Sequence, residues 1–111
     1  MHVTMNTVQD TLMVRIEGEL DLAVADSLRD QIDSRLKHDR VQTLILDFDG
    51  VSFLDSSGLG VIIGRYKKMK NSGGQMCIIR TCPAVFRVLE FSGITKIIPV
   101  YETEKEVLRM E

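Results

Sequence analysis

Residues 44–60, LILDFDGVSFLDSSGLG, hold two sets of side chains suited to phosphate chemistry. Asp47 and Asp49, two apart at the end of an apolar run, offer carboxylates of the type that can act as a nucleophile on phosphorus. Asp55, Ser56, Ser57 and Gly58 precede a second apolar run and place hydroxyls at the mouth of a helix. Either an aspartate is a catalyst or a serine is a substrate.

The aspartate reading is a phosphatase with Asp47 as nucleophile. Asp-x-Asp-Gly after a strand resembles the first motif of the haloacid dehalogenase-like phosphatases, where the first aspartate attacks phosphorus and the second serves as acid and base. That resemblance covers four residues. The chemistry also needs a magnesium ion held by further acids. No aspartate follows Asp55, and the later acids, Glu90, Glu102, Glu104, Glu106 and Glu111, form no paired signature. The plain account of DFDG is a strand end passing into a polar turn, with Asp49-Gly50 as turn residues.

The serine reading has more behind it. Side-chain oxygens of Asp and Ser accept from the free N–H groups that open a helix, which would explain one such residue without any further role. Here the serines are doubled, and Gly58 and Gly60 lie in one helical turn, although glycine disfavours a helix interior by about 1 kcal/mol relative to alanine. Bare amides there would be open to an incoming phosphate or a partner surface. Chemistry alone does not separate Ser56 from Ser57. No Gly-x-Ser-x-Gly elbow surrounds either serine, and neither His2 nor His38 has an evident place as a base. The glycines also do not spell a nucleotide-binding Gly-x4-Gly-Lys loop.

The surrounding elements must hold these groups. Residues 2–7 and 11–17 read as paired strands joined by a turn in QDT. GELD (18–21) supplies a glycine and a capping aspartate, Asp21, to a helix striped by Leu22, Ala25, Leu28, Ile32 and Leu36. Thr43–Phe48 is a short apolar run, the pattern of a strand covered on both faces. Leu59, Ile62, Ile63, Tyr66 and Met69 stripe a second helix that NSGG (71–74) stops; Leu59 and Val61 suit either core or interface. QMCIIR (75–80) is a strand, and Pro83 opens a third helix ending before Gly93. Lys96–Val100 reads as a strand and Glu102–Met110 as a terminal helix. Alternating strands and helices imply an α/β core with parallel pairing, and the N-terminal strand pair makes the sheet mixed.

A chain of 111 residues suits one domain over 1–111. A net charge of −2 gives no footprint for nucleic acid, and Lys67, Lys68 and Lys70 suit a helix C-terminus. No run approaches the roughly 18 apolar residues of a membrane span, and MHVTMNTVQD lacks a signal-peptide pattern, so a cytoplasmic location is expected. Cys77 and Cys82 are too few for a zinc site; Cys77 reads as a buried strand residue and Cys82 as a helix entrance. No cofactor or metal is expected, and a monomer is the simplest free state.

GELD (18–21), LILDFDGVSFLDSSGLGVIIGRYK (44–67), SGGQM (72–76) and FSGITKII (91–98) together resemble the anti-sigma factor antagonists, bacterial proteins of the STAS fold. The resemblance implies a single α/β STAS-type domain with a mixed four- to five-stranded sheet and about four helices. It implies a non-enzymatic partner switch: the unphosphorylated form binds an anti-sigma factor serine kinase and frees the sigma factor. The kinase phosphorylates the first serine of Asp-Ser-Ser-Gly, here Ser56, and a serine phosphatase of the 2C type resets it. Asp21 matches a position beside the phosphoserine, and Asp55, Ser57, Gly58, Leu59 and Gly60 fall in the implied partner contact. A ligand-binding or scaffold STAS module of a stress-sensing complex is the alternative.

Overall fold

In the computed structural model, which describes residues 1–103 and 105, β1 (His2–Val8) and β2 (Thr11–Leu20) form an antiparallel hairpin in unbroken register from His2↔Glu17 to Val8↔Thr11. The turn is Gln9–Asp10, with Gln9 in the left-handed region at φ 55°. Asp10 then accepts from the backbone N–H of Gln42 (2.8 Å) and Thr43 (3.2 Å), tying the hairpin to the entry of the next strand. From there the chain alternates: α1 (Leu22–His38), β3 (Thr43–Leu54), α2 (Ser56–Asn71), β4 (Gln75–Ile79), α3 (Pro83–Ser92), a 3-10 turn at Ile94–Lys96 and β5 (Val100–Tyr101).

The sheet order is β1-β2-β3-β4-β5, with every pair after the first parallel. A right-handed crossover that always advances in the same direction leaves every connecting helix on the same face. Accordingly Leu12, Val14, Leu44, Leu46, Phe48, Met76 and Ile78 share one core with the inward residues of α1, α2 and α3. On the other face Ile45, Cys77 and Ile79 form a smaller cluster with Met13 and Tyr101. Thr43–Phe48 is therefore buried on both sides, as its apolar run implies, but the described helices cover only one of them.

Three expectations need correction. DFDG is no turn: β3 continues through it to Leu54, because Val51 and Leu54 are buried and pair with Gly18 and Leu20 of β2. Gly50 serves close strand approach, since a Cβ there would lie 2.5 Å from the Glu17 side chain and 3.1 Å from its Cα. The strand expected at Lys96–Val100 shrinks to Val100–Tyr101; Ile94 and Ile98 reach the core from a tight turn instead. Leu22, counted in the α1 stripe, is 77% exposed at the helix's first position. The helix expected at Glu102–Met110 lies, apart from residues 102, 103 and 105, outside the described residues.

The buried carboxylate of Asp47 joins three strands. Arg15, its cross-strand neighbour on β2, approaches it at 3.2 Å, Arg80 beyond β4 at 2.6 Å, and its other oxygen accepts from the Asp49 N–H at 3.0 Å. Arg80 holds this contact from a left-handed backbone, φ 60°. Removing the negative charge takes an ionic contact from two half-exposed guanidiniums that do not lie in the dry core. Asp47→Asn should thus cost about 1–3 kcal/mol, read as a lower urea midpoint; an unchanged midpoint would show that the pairing contributes nothing to stability.

Candidate functional site

Leu20 and Leu54 are partners in the parallel β2–β3 register, and each is the last residue of its strand. The next residue in each chain segment is an aspartate that caps a helix. Asp21 accepts from the Ala23 N–H at 3.1 Å, opening α1. Asp55 accepts from the N–H groups of Ser57 (2.9 Å) and Gly58 (3.2 Å), opening α2. The Asp55 N–H in turn donates to the Leu20 carbonyl at 3.4 Å. GELD and DSSG are therefore one structure, two helix mouths side by side at one end of the sheet.

Gly58 makes this approach possible. A Cβ on it would fall 2.7 Å from the Leu20 carbonyl oxygen and 2.5 Å from Leu54 Cδ1, within the space of real atoms. Gly58 is buried, so it serves internal packing and is not the open partner surface that the sequence suggested. Gly60 is exposed, and a Cβ there would meet nothing within 4 Å. The helices are also pinned to each other further along. Buried Arg65 of α2 lies 2.9 Å from Asp33 of α1, and Lys68 reaches the other oxygen of the same carboxylate at 3.1 Å. Burial pulls the Arg65 guanidinium below its ordinary pKa, and the Asp33 charge opposes that pull. Arg65 escaped sequence reasoning because a charged residue inside a helical stripe reads as solvated.

Ser56 is the first residue of α2 and is exposed; Ser57 is half-buried. The cap is supplied by the Asp55 carboxylate, so neither hydroxyl is needed for it. Nor are the Ser57 and Gly58 amides open to an added anion, because Asp55 already occupies them. A phosphate on Ser56 would stand beside that carboxylate instead of replacing it. Leu59 is half-buried, Val61 lies in the core, and two large apolar side chains are left near this end: Leu22, beside Asp21, and half-exposed Phe53, opposite Glu19. Sequence reading missed both as surface; their signal was position, one directly after a cap and one two residues before a cap.

The aspartate alternative loses its nucleophile. Asp47 is 2% exposed and is engaged by Arg15, Arg80 and the Asp49 amide. An attacking carboxylate needs an open path to phosphorus.

The arrangement defines a small α/β domain with an exposed serine at one of two adjacent helix mouths, each capped by an aspartate. The family model described as STAS domain matches residues 2–107, and the chain belongs to that family. It is 38% identical over 108 residues to the anti-sigma F factor antagonist of Paenibacillus polymyxa, covering 97% of this chain and 92% of that one. Among solved structures it is similar to the anti-sigma factor antagonist SpoIIAA in its unphosphorylated form, at 29% identity and a TM-score of 0.84 over 96% of this chain and 93% of that chain. It is likewise similar to the Bacillus cell fate determinant SpoIIAA in the phosphorylated form, at 27% identity and a TM-score of 0.76 over 98% of each chain.

The two glycines of the first turn give opposite expectations. Gly58→Ala should destabilise by about 1–3 kcal/mol through overpacking against Leu20 and Leu54, despite its better helix propensity. Gly60→Ala should leave stability unchanged or raise it by up to about 1 kcal/mol. Urea unfolding of both variants checks the pair, and the reverse order would contradict the packing described.

Proposed function

We propose that this chain is an anti-sigma factor antagonist whose unphosphorylated form binds an anti-sigma factor that is also a serine kinase, freeing the sigma factor. The kinase transfers the γ-phosphoryl group of ATP to the Ser56 hydroxyl, forming phosphoserine and ADP, and the complex separates. A metal-dependent serine phosphatase of the 2C type hydrolyses the ester and restores the hydroxyl. One observation carries this reading: Ser56 stands exposed at a rigid helix mouth whose cap is supplied by another residue. The name of the Paenibacillus relative and the two phosphorylation states of SpoIIAA support it. The family pattern, in which the first serine of the motif is modified, favours Ser56 over Ser57.

The mechanism follows from charge and volume. Phosphoserine carries about −1.5 to −2 charges at neutral pH. Asp21 and Asp55 already make this end acidic, and a phosphate on Ser56 adds to the charge that any carboxylate of the partner meets there. Two like charges about 6 Å apart at an effective dielectric of about 20 repel by roughly 3 kcal/mol before screening. Each 1.4 kcal/mol is tenfold in affinity, so a screened fraction of that energy converts a tight complex into a weak one. The phosphoryl group also occupies volume in a close contact. The likeness of this chain to both forms of SpoIIAA fits a switch that leaves the fold in place.

A ligand-responsive STAS module is a second reading, favoured by an open cleft of about 690 Å³ beside Asp49, Arg80, Thr81 and Tyr101. Calorimetric titration with nucleotides, without any protein partner, separates the two: heat of binding in that cleft supports the second.

For the switch, the probe is the anti-sigma F factor of the source organism. Ser56→Ala should bind it as the unmodified protein does and stay bound when ATP is added. Ser56→Asp should bind at least about tenfold more weakly, and intact mass after incubation with ATP should show one added phosphoryl group on the wild type and none on either variant. Equal affinities for the two variants would rule the switch out.

A further inference from the structure

The described surface has one large apolar side chain that nothing covers at all. Phe91, in the last turn of α3, is 97% exposed. It is no misplaced core residue. Val85 and Leu89, four apart, turn the inward face of α3 into the core, and Phe91 lies on another face with Arg87 and Val88, four and three residues before it. The helix end beneath it is fixed, because Gly93 closes α3 in the left-handed conformation with its N–H on the Glu90 carbonyl at 3.1 Å. Phe91, Val88, Arg87 and Ser92 line an almost wholly apolar groove of about 410 Å³, and its remaining wall is Leu59. Leu59 sits three residues after Ser56 on α2, about 4.5 Å along the same helix. The groove is thus continuous with the switch surface.

Resting on the antagonist reading above, we propose that this α2–α3 groove is the second half of the docking surface for the same anti-sigma factor. The occupant is an apolar side chain of that partner, seated between Leu59 and Phe91, with a carboxylate facing Arg87. Aromatic and arginine side chains on rigid helices are the usual strong contributors to such contacts. A phenylalanine side chain has only two torsions, so little freedom is lost when Phe91 is covered. The groove holds the partner by apolar burial, and the acidic helix mouths beside it supply the contact that phosphorylation breaks. Grip and release are thereby divided between α3 and the start of α2.

The experiment titrates the anti-sigma F factor of the source organism against wild type, Phe91→Ala, Arg87→Glu and Ser56→Asp, with thermal melts of each and sedimentation of the free proteins. The expected result is binding by the wild type, a loss of at least about tenfold in Phe91→Ala, and a comparable loss in Arg87→Glu. The Phe91→Ala melting temperature should be unchanged, since the side chain is exposed in the free domain. Wild-type binding that falls with Ser56→Asp but is untouched by Phe91→Ala would overturn the groove and leave the switch standing. Absence of wild-type binding would overturn both. Concentration-dependent dimers of the free wild type that Phe91→Ala abolishes would assign the groove to a second copy of this chain and overturn the proposal.

Discussion

The close approach of α2 to the end of β2 is the constraint from which the rest of the site follows. It exists because residue 58 has no side chain: the Leu20 carbonyl and the Leu54 methyl occupy the space a Cβ would need. The Leu20↔Leu54 register sets the height at which the two strands end, and the two capping aspartates then open their helices next to each other. Slippage of that register by one residue would turn buried leucines to the wrong face, so the pairing is held by the core itself. The Arg65–Asp33–Lys68 cluster secures the same two helices further along. What emerges is a preformed platform whose position does not depend on the serine it displays.

That independence gives the proposed switch its physical logic. Were a hydroxyl the helix cap, phosphorylating it would disturb the domain, and stability would be coupled to signalling. Here Asp55 holds the Ser57 and Gly58 amides, leaving the Ser56 side chain outside the hydrogen-bonding of the helix mouth. The same arrangement removes the nearest neutralising groups, because those amides cannot also receive the phosphate. An added dianion beside Asp55 therefore projects its field outward. Charge of this kind acts most strongly where a partner's surface excludes water and salt.

Much of this was legible in the sequence, and the failures have specific causes. The α/β alternation, the mixed sheet, the Asp21 cap, Pro83 at the start of α3 and Gly93 at its end were all readable from periodicity and cap residues. DFDG was misread because Asp-Gly is a strong turn signal; its burial and pairing in a central parallel strand overrode that local preference, with Arg15 and Arg80 matching the carboxylate. The capping role was shared among Asp55 and the serines until geometry assigned it to the aspartate. Gly58 and Gly60 look alike in sequence and differ only in what surrounds them: one faces Leu20, the other solvent. Leu22 was counted in a stripe and is exposed, while Arg65 was passed over and is buried, since a helical stripe does not say where the neighbouring element stops or which charge will find a buried partner.

The central claim is that a phosphate on Ser56 changes the surface and leaves the scaffold as it was. Two-dimensional amide NMR of the domain before and after stoichiometric phosphorylation tests it directly. The account expects shifts confined to the residues around the two helix mouths, 20–22 and 54–60, with the amides of β3, β4 and the α1–α2 contact at Arg65 unmoved. Shifts spread through the sheet and along both helices would contradict it, because the switch would then work by rearranging the domain.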